Sequence, residues 1–332
     1  MYRFQYKAYR RSFAGVFSNA RESFPKREGL LLRIEDRDGR VGFGEVAPIP
    51  SFGTESFASA LVAVEEIGEE MEPEALRGAL SGYPCLAWGL ESALEQVSSE
   101  GKWPELAEPW PVCGLVSDLD DMARIEELLQ MHFQCLKFKI GKGAVIDEMR
   151  ALDRFVDLSD GKIQIRLDAN GVLDARTASL WLERLAELPV EFLEQPLPKG
   201  MESEMLRLSS DFPTPLALDE SVGSVDDLKR WRDAQWPGVF VIKPSLSGSY
   251  RELSQELGQG EDCCVFSSSL ETKIGASNAI GFAIRHSQQR RALGFGVDDL
   301  FADRNIGLGL GPFLQNGCLG SSDDFERLWN LT

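Results

Sequence analysis

Residues 136–141 read "LKFKIG", an apolar stretch interrupted by two lysines, Lys137 and Lys139. Side chains alternate across a strand, so the two ammonium groups share one face while Leu136, Phe138 and Ile140 share the other. Taken alone, the stretch fits an edge strand with a solvated lysine face. The other reading is an interior strand whose lysines point into a site. The neighbouring sequence decides between them.

Downstream of "GKWPELAEPWPV", where Pro104, Pro109 and Pro111 mark a linker, short apolar segments alternate with amphipathic helical patterning. The expected strands are 111–116, "CLKFKIG" (135–141), 163–171, 190–197, 215–222, 239–248, 264–271 and 292–297. Strands separated by helices predict a parallel α/β architecture. The polar residues at the strand ends, Lys139, Asp168, Glu194, Asp219, Lys243 and Ser267, recur at intervals of 24 to 29 residues. That is the length of one strand, one helix and two short loops. Each residue therefore sits at the C-terminal end of its strand, where a (β/α)8-type barrel places its active site. An open doubly wound sheet would spread these residues apart, and no Gly-x-Gly-x-x-Gly follows the first strand. The first hundred residues read instead as an α+β unit: a strand in "RFQYKAYRRSF", a hairpin turning at Asp38-Gly39, and helical patterning over 55–71 and 83–99.

With 332 residues, 43% of them apolar, the chain can bury a large core. Its 53 acidic and 35 basic side chains give a formal charge of −18, which repels nucleic acid and anionic lipid. An anionic small-molecule substrate then needs a local cluster of positive charge. The six cysteines show no Cys-x-x-Cys spacing, no stretch is apolar enough to span a membrane, and the N-terminus lacks the apolar run of a secretion signal. A soluble cytoplasmic protein with reduced thiols is expected.

Asp168, Glu194 and Asp219 bring three carboxylates to one point, an arrangement that needs a cation between them. Oxygen ligands without His or Cys suit Mg2+, with Mn2+ possible. Lys139 and Lys243 flank this series in strand order, placing an ammonium on each side of the site. A lysine beside a metal ion and a second cation has its pKa lowered, which suits a general base. Lys137 adds charge one layer below. Both histidines, His132 and His286, fall in segments read as helix, leaving proton transfer to lysine. Asn170 can bind a ligand or serve an ordinary Asn-Gly turn. Arg166 shares the inward face of Asp168 and either holds a substrate carboxylate or pairs with a neighbouring strand's acid. Ser267 and Ser269, in the serine run 267–269, offer hydroxyls to a carboxylate. "GEVAPIPSFGTES" (44–56) reads as a loop able to close over the barrel mouth.

Lys-x-Lys (137–139), Asp-x-Asn (168–170), Glu-x-Pro (194–196), Asp-Glu-Ser (219–221) and Lys-Pro (243–244) together resemble the muconate-lactonizing subgroup of the enolase superfamily. Chain length, "GFGEVAPIPSFGTES" and "SSSLET" look most like its o-succinylbenzoate synthase family. The resemblance implies a modified TIM barrel, (β/α)7β, over 106–302. It also implies an α+β capping domain over 1–105, joined by a C-terminal segment from about 303 to 332. It implies Mg2+ on Asp168, Glu194 and Asp219, Lys139 as the base that removes the proton α to the substrate carboxylate, and Lys243 stabilising the enediolate. The pairing of a lysine base with Mg2+ is the superfamily's general pattern. The implied reaction is syn dehydration of 2-succinyl-6-hydroxy-2,4-cyclohexadiene-1-carboxylate to o-succinylbenzoate, in menaquinone or phylloquinone biosynthesis.

The same residues allow an N-acylamino acid racemase, with Lys139 and Lys243 as bases on opposite faces of the α-carbon. Dipeptide epimerases of the subgroup carry an Asp-x-Asp on strand eight, whereas this chain has adjacent Asp298 and Asp299. A non-catalytic protein of this fold would be expected to have lost a ligand or a lysine.

Overall fold

The computed structural model describes residues 1–18, 23–76, 80–258 and 263–332. An antiparallel sheet opens the chain: β1 (Tyr2–Ser18), β2 (Ser23–Glu35), β3 (Val41–Val46) and β4 (Glu70–Met71), in the order β3-β2-β1-β4. In β2 the consecutive run Leu30, Leu31, Leu32 is wholly buried because both faces of the sheet are covered. Leu30, Leu32 and Ile34 pack beneath the helices Phe57–Ile67 and Pro84–Ser98. Leu31 points the other way, with Tyr9 and Phe43, against Phe325, Leu328 and Trp329 of the C-terminal helix Ser322–Leu331. The C-terminal segment thus returns to the first sheet. It is anchored further by the Phe13–Phe301 bridge and the Arg11–Asp303 ion pair.

The helix Pro84–Ser98 lies directly on β3 because glycines face each other there. A Cβ on Gly44 would fall 1.9 Å from the Gly89 carbonyl oxygen, so only a bare backbone fits.

The barrel strands are β5 (Trp110–Val116), β6 (Cys135–Lys139), β7 (Gln164–Asp168), β8 (Val190–Glu194), β9 (Leu216–Leu218), β10 (Val239–Ile242), β11 (Cys264–Phe266) and β12 (Leu293–Gly296). They are parallel neighbours in the order β11-β10-β9-β8-β7-β6-β5-β12, and a Ser267–Gly294 bridge joins the two ends. A short β13 (Phe313–Leu314) runs antiparallel to β5. Helices follow each strand from β5 to β11, and β12 closes the ring, which makes this a modified TIM barrel under a capping domain. Side-chain caps start several of these helices, among them Asp121, Asp174, Ser224 and Thr272.

β6 resolves the ambiguity of "LKFKIG". Leu136, Phe138 and Ile140 are fully buried in the layer between strands and helices, with the Phe138 ring 4.8 Å from Phe155. The lysine face therefore looks into the barrel.

Several strands end earlier than expected. β9 stops at Leu218 and β10 at Ile242. At the first, the Gln195 side-chain oxygen accepts the Asp219 and Ser221 N–H groups in place of a ladder partner. After the second, Pro244 has no N–H to extend the ladder. His132 lies not in a helix but in the turn after Met122–Gln130, with φ +67°. His286 ends the helix Lys273–His286.

Candidate active site

Parallel register puts Lys139 beside Asp168 and Asp168 beside Glu194 across β6, β7 and β8. Asp219 and Lys243 follow β9 and β10 at the same end. One cavity is lined by Lys137, Lys139, Asp168, Asn170, Asp219, Lys243 and Ser267–Ser269, with Ile49 and Phe52 from the capping domain. Phe52 lies against Lys243, its ring centroid 4.7 Å from Nζ.

Asp168, Glu194 and Asp219 are all buried, and each offers an oxygen within 4.8 Å of the others. Lys137 Nζ contacts Asp168 at 2.8 Å and Glu194 at 2.5 Å, Lys139 Nζ contacts Asp168 at 2.7 Å, and Lys243 pairs with Asp219. Burial alone would lower the Lys137 ammonium, but the charges of Asp168, Glu194 and Asp219 outweigh it and hold it up. Asp168, despite its burial, is held well below the usual carboxylate range by Lys137 and Lys139. Glu194 goes the other way: burial and the Asp168 charge push it up to about 8. Three ammonium groups, those of Lys137, Lys139 and Lys243, thus face these three carboxylates. An oxygen-only donor set converging within 4.8 Å fits a divalent cation such as Mg2+.

Asn170 has left-handed backbone, φ +47°, and its N–H donates to Asp168 Oδ1. Its side-chain oxygen accepts from Lys139 Nζ at 2.9 Å and its amide donates to Glu220 at 3.1 Å. Ser267 and Ser269 both line the cavity, but the Ser269 hydroxyl donates to Glu271 and the Ser267 hydroxyl to the Gly294 carbonyl.

Arg166 takes the second of its two expected roles, pairing with a neighbouring strand's acid. Its Nε bonds Glu191 at 2.6 Å, its NH1 bonds the Ala292 carbonyl, and it lies below the cavity rather than in its wall. Two residues along a strand is roughly 6.6 Å, enough to move a side chain from the mouth to the layer beneath.

Three buried residues without an assigned role in the sequence reading shape the site. Gln195 ties β8 to the Asp219 turn, and its amide also reaches Ser221. Glu220 orients the Asn170 amide; burial and Asp219 push its carboxyl up to about 7. Glu271 gathers the hydroxyls of Ser245, Ser268 and Ser269. Glu220 sits inside the Asp-Glu-Ser motif, where its burial was the missing signal.

Residues 4–97 match the family model "MenC, N-terminal domain", and residues 120–263 match "Enolase C-terminal domain-like". The o-succinylbenzoate synthase of Thermosynechococcus vestitus is 34% identical over 89% of this chain and 92% of its own. This chain belongs to the o-succinylbenzoate synthase family. The crystal structure of the family's enzyme from Thermosynechococcus elongatus, complexed with Mg in the active site, superposes with a TM-score of 0.84 at 32% identity. It covers 99% of this chain and 100% of that one. The L-Ala-D/L-Glu epimerase of Bacillus subtilis is more distant, at 25% identity over 80% of each chain.

Proposed function

We propose that this chain is a Mg2+-dependent dehydratase converting 2-succinyl-6-hydroxy-2,4-cyclohexadiene-1-carboxylate to o-succinylbenzoate, a step of menaquinone or phylloquinone biosynthesis. The observation that carries this reading is one cavity lined by Asp168, Asp219, Lys139 and Lys243, with the Glu194 carboxylate converging on the two aspartates, in a chain of this family. Its substrate is a small dicarboxylate. The small-molecule metabolism of the family fits a cytoplasmic enzyme, and among the described residues no helix is long and apolar enough to cross a membrane.

Asp168, Glu194 and Asp219 would hold the ion, and the ion would supply Lewis-acid stabilisation of negative charge developing on the substrate carboxylate. Lys139 Nζ, in its base form, takes the proton α to that carboxylate. The electron pair left behind moves into the carboxylate as an enediolate, facing the Lys243 ammonium. The electrons then return to form the ring double bond as the C–O bond to the hydroxyl breaks. The Lys139 ammonium gives its proton to the departing oxygen, which leaves as water. One residue serves as base and then acid, which requires both events on one face of the ring. Lys137 helps keep Asp168 ionised from below and opposes the upward shift of Glu194. Asn170, steered by Glu220, holds Lys139 in place.

Racemisation of N-acylamino acids is a second reading, supported by Lys139 and Lys243 lining the same cavity. Asp298 accepts the Gly309 N–H, and Asp299 pairs with Arg124. Neither lines the cavity, so a dipeptide ammonium would find no carboxylate from that turn. Ultraviolet-monitored dehydration, run beside deuterium exchange into N-succinylamino acids, separates the two readings.

A further inference from the structure

The capping domain carries a buried guanidinium that the chemistry above does not use. Arg27, on β2, is 4% exposed. Its NH1 donates to the Pro48 carbonyl, and its NH2 donates to the carbonyls of Ala47 and, at 3.0 Å, Ser269. Its Nε is buried without a hydrogen-bond partner.

These acceptors belong to two separate loops. Ala47 and Pro48 lead into Ile49 and Phe52, which wall the cavity from the capping domain. Ser269 belongs to the loop after β11, whose Ser267, Ser268 and Leu270 wall it from the barrel. A single planar fork therefore bonds both walls at once. A guanidinium suits this because its donors are fixed in direction, whereas an ammonium on a flexible stem cannot reproduce the set. Two further contacts make the position consequential. The Phe52 ring lies on Lys243, and the Ser269 N–H and hydroxyl both engage Glu271. Displacing either loop would move groups that face the substrate.

We propose that Arg27 is a positioning residue that clamps the 44–56 loop to the Ser267–Ser269 end of the barrel and so sets the width of the cavity wall. The proposal rests on reading this cavity as the dehydratase site. Arg27 touches neither substrate nor ion; it acts through the two loops.

The test compares wild type, Arg27→Lys and Arg27→Ala in steady-state dehydration and in hydrogen–deuterium exchange of peptides covering 44–56 and 264–272. KM is expected to rise on the order of tenfold in Arg27→Ala, more than kcat falls, as expected when charge-assisted hydrogen bonds that shape a binding wall are lost. Arg27→Lys should fall between the two, and both peptides should exchange faster in both variants. Unchanged KM and kcat would overturn the proposal. So would an activity loss that only follows the fraction of folded protein, with KM unaltered. If wild type itself fails to dehydrate the substrate, the proposed function fails and the exchange data alone decide the clamp. Faster exchange in both segments then supports it, and unchanged exchange in either overturns it.

Discussion

Lys137 and Lys139 converge on one atom, Oδ2 of Asp168, at 2.8 and 2.7 Å. They are nonetheless in different positions. Lys137 also reaches Glu194, beneath the cavity floor, while Lys139 reaches Asn170 at the strand end. Lys139→Ala is expected to lower turnover by at least about a thousandfold, as loss of a general base does, with fold and Mg2+ binding retained. Lys137→Ala should remain at least about tenfold more active than Lys139→Ala, because it removes a supporting charge and not the proton acceptor. Steady-state kinetics with calorimetric Mg2+ titration checks both, and equal activity of the two variants would contradict the distinction.

Removing divalent ions should abolish activity, and adding Mg2+ should restore it. Three buried carboxylates within 4.8 Å of one another also predict thermal stabilisation by the ion. At a hundredfold excess over its Kd, binding contributes about 2.7 kcal/mol, a rise of several degrees by differential scanning calorimetry. Asp219→Asn should lose most of that rise. Full activity after exhaustive chelation would remove the metal from the account.

Glu45 joins the capping domain to the barrel. It accepts from the Tyr9 hydroxyl at 2.5 Å and from the Thr272 and Gly275 N–H groups at 3.0 Å, at the start of the helix Lys273–His286. Burial and the nearby Glu271 charge raise its carboxyl above the ordinary 4.5, against the pull of the Thr272 and Tyr9 hydrogen bonds. A raised carboxyl pKa means that the folded state binds the proton more tightly than the unfolded chain. The stability this confers is complete below the ordinary value and is lost as pH rises through the raised one. Glu45→Gln does not titrate. The stability advantage of wild type over Glu45→Gln should therefore shrink as pH rises above the ordinary carboxyl value in urea titrations, and a constant difference would contradict the assignment.

Gly44→Ala should be strongly destabilising although it adds only a methyl group. The new Cβ would meet the Gly89 backbone carbonyl, which is held in the helix Pro84–Ser98 and cannot turn aside. A loss of about 3 kcal/mol or more is expected in denaturant unfolding, the upper range for overpacking.

The barrel and its six strand-end residues were legible because period and polarity coincide: each polar residue closes an apolar run at the spacing of one strand–helix unit. Depth was less legible. Arg166 shares a face with Asp168, but alternation fixes the face and not the layer, and its partner Glu191 lies on the next strand. The roles of Gln195, Glu271 and Arg27 were hidden because their partners come from loops whose approach is set by tertiary packing. In the serine run, polarity was visible but not that Glu271 would take the hydroxyls of Ser268 and Ser269.

In the dehydration we propose, Lys139 removes the α-proton of a cyclohexadiene carboxylate and Mg2+ is required. The most direct measurement follows o-succinylbenzoate formation by ultraviolet absorbance, with purified wild type and Lys139→Ala, in the presence and absence of Mg2+. Turnover is expected from wild type only when Mg2+ is present, and none from Lys139→Ala under either condition. Undiminished dehydration by Lys139→Ala would contradict it. So would a wild-type protein that leaves this substrate intact while exchanging the α-proton of N-succinylamino acids.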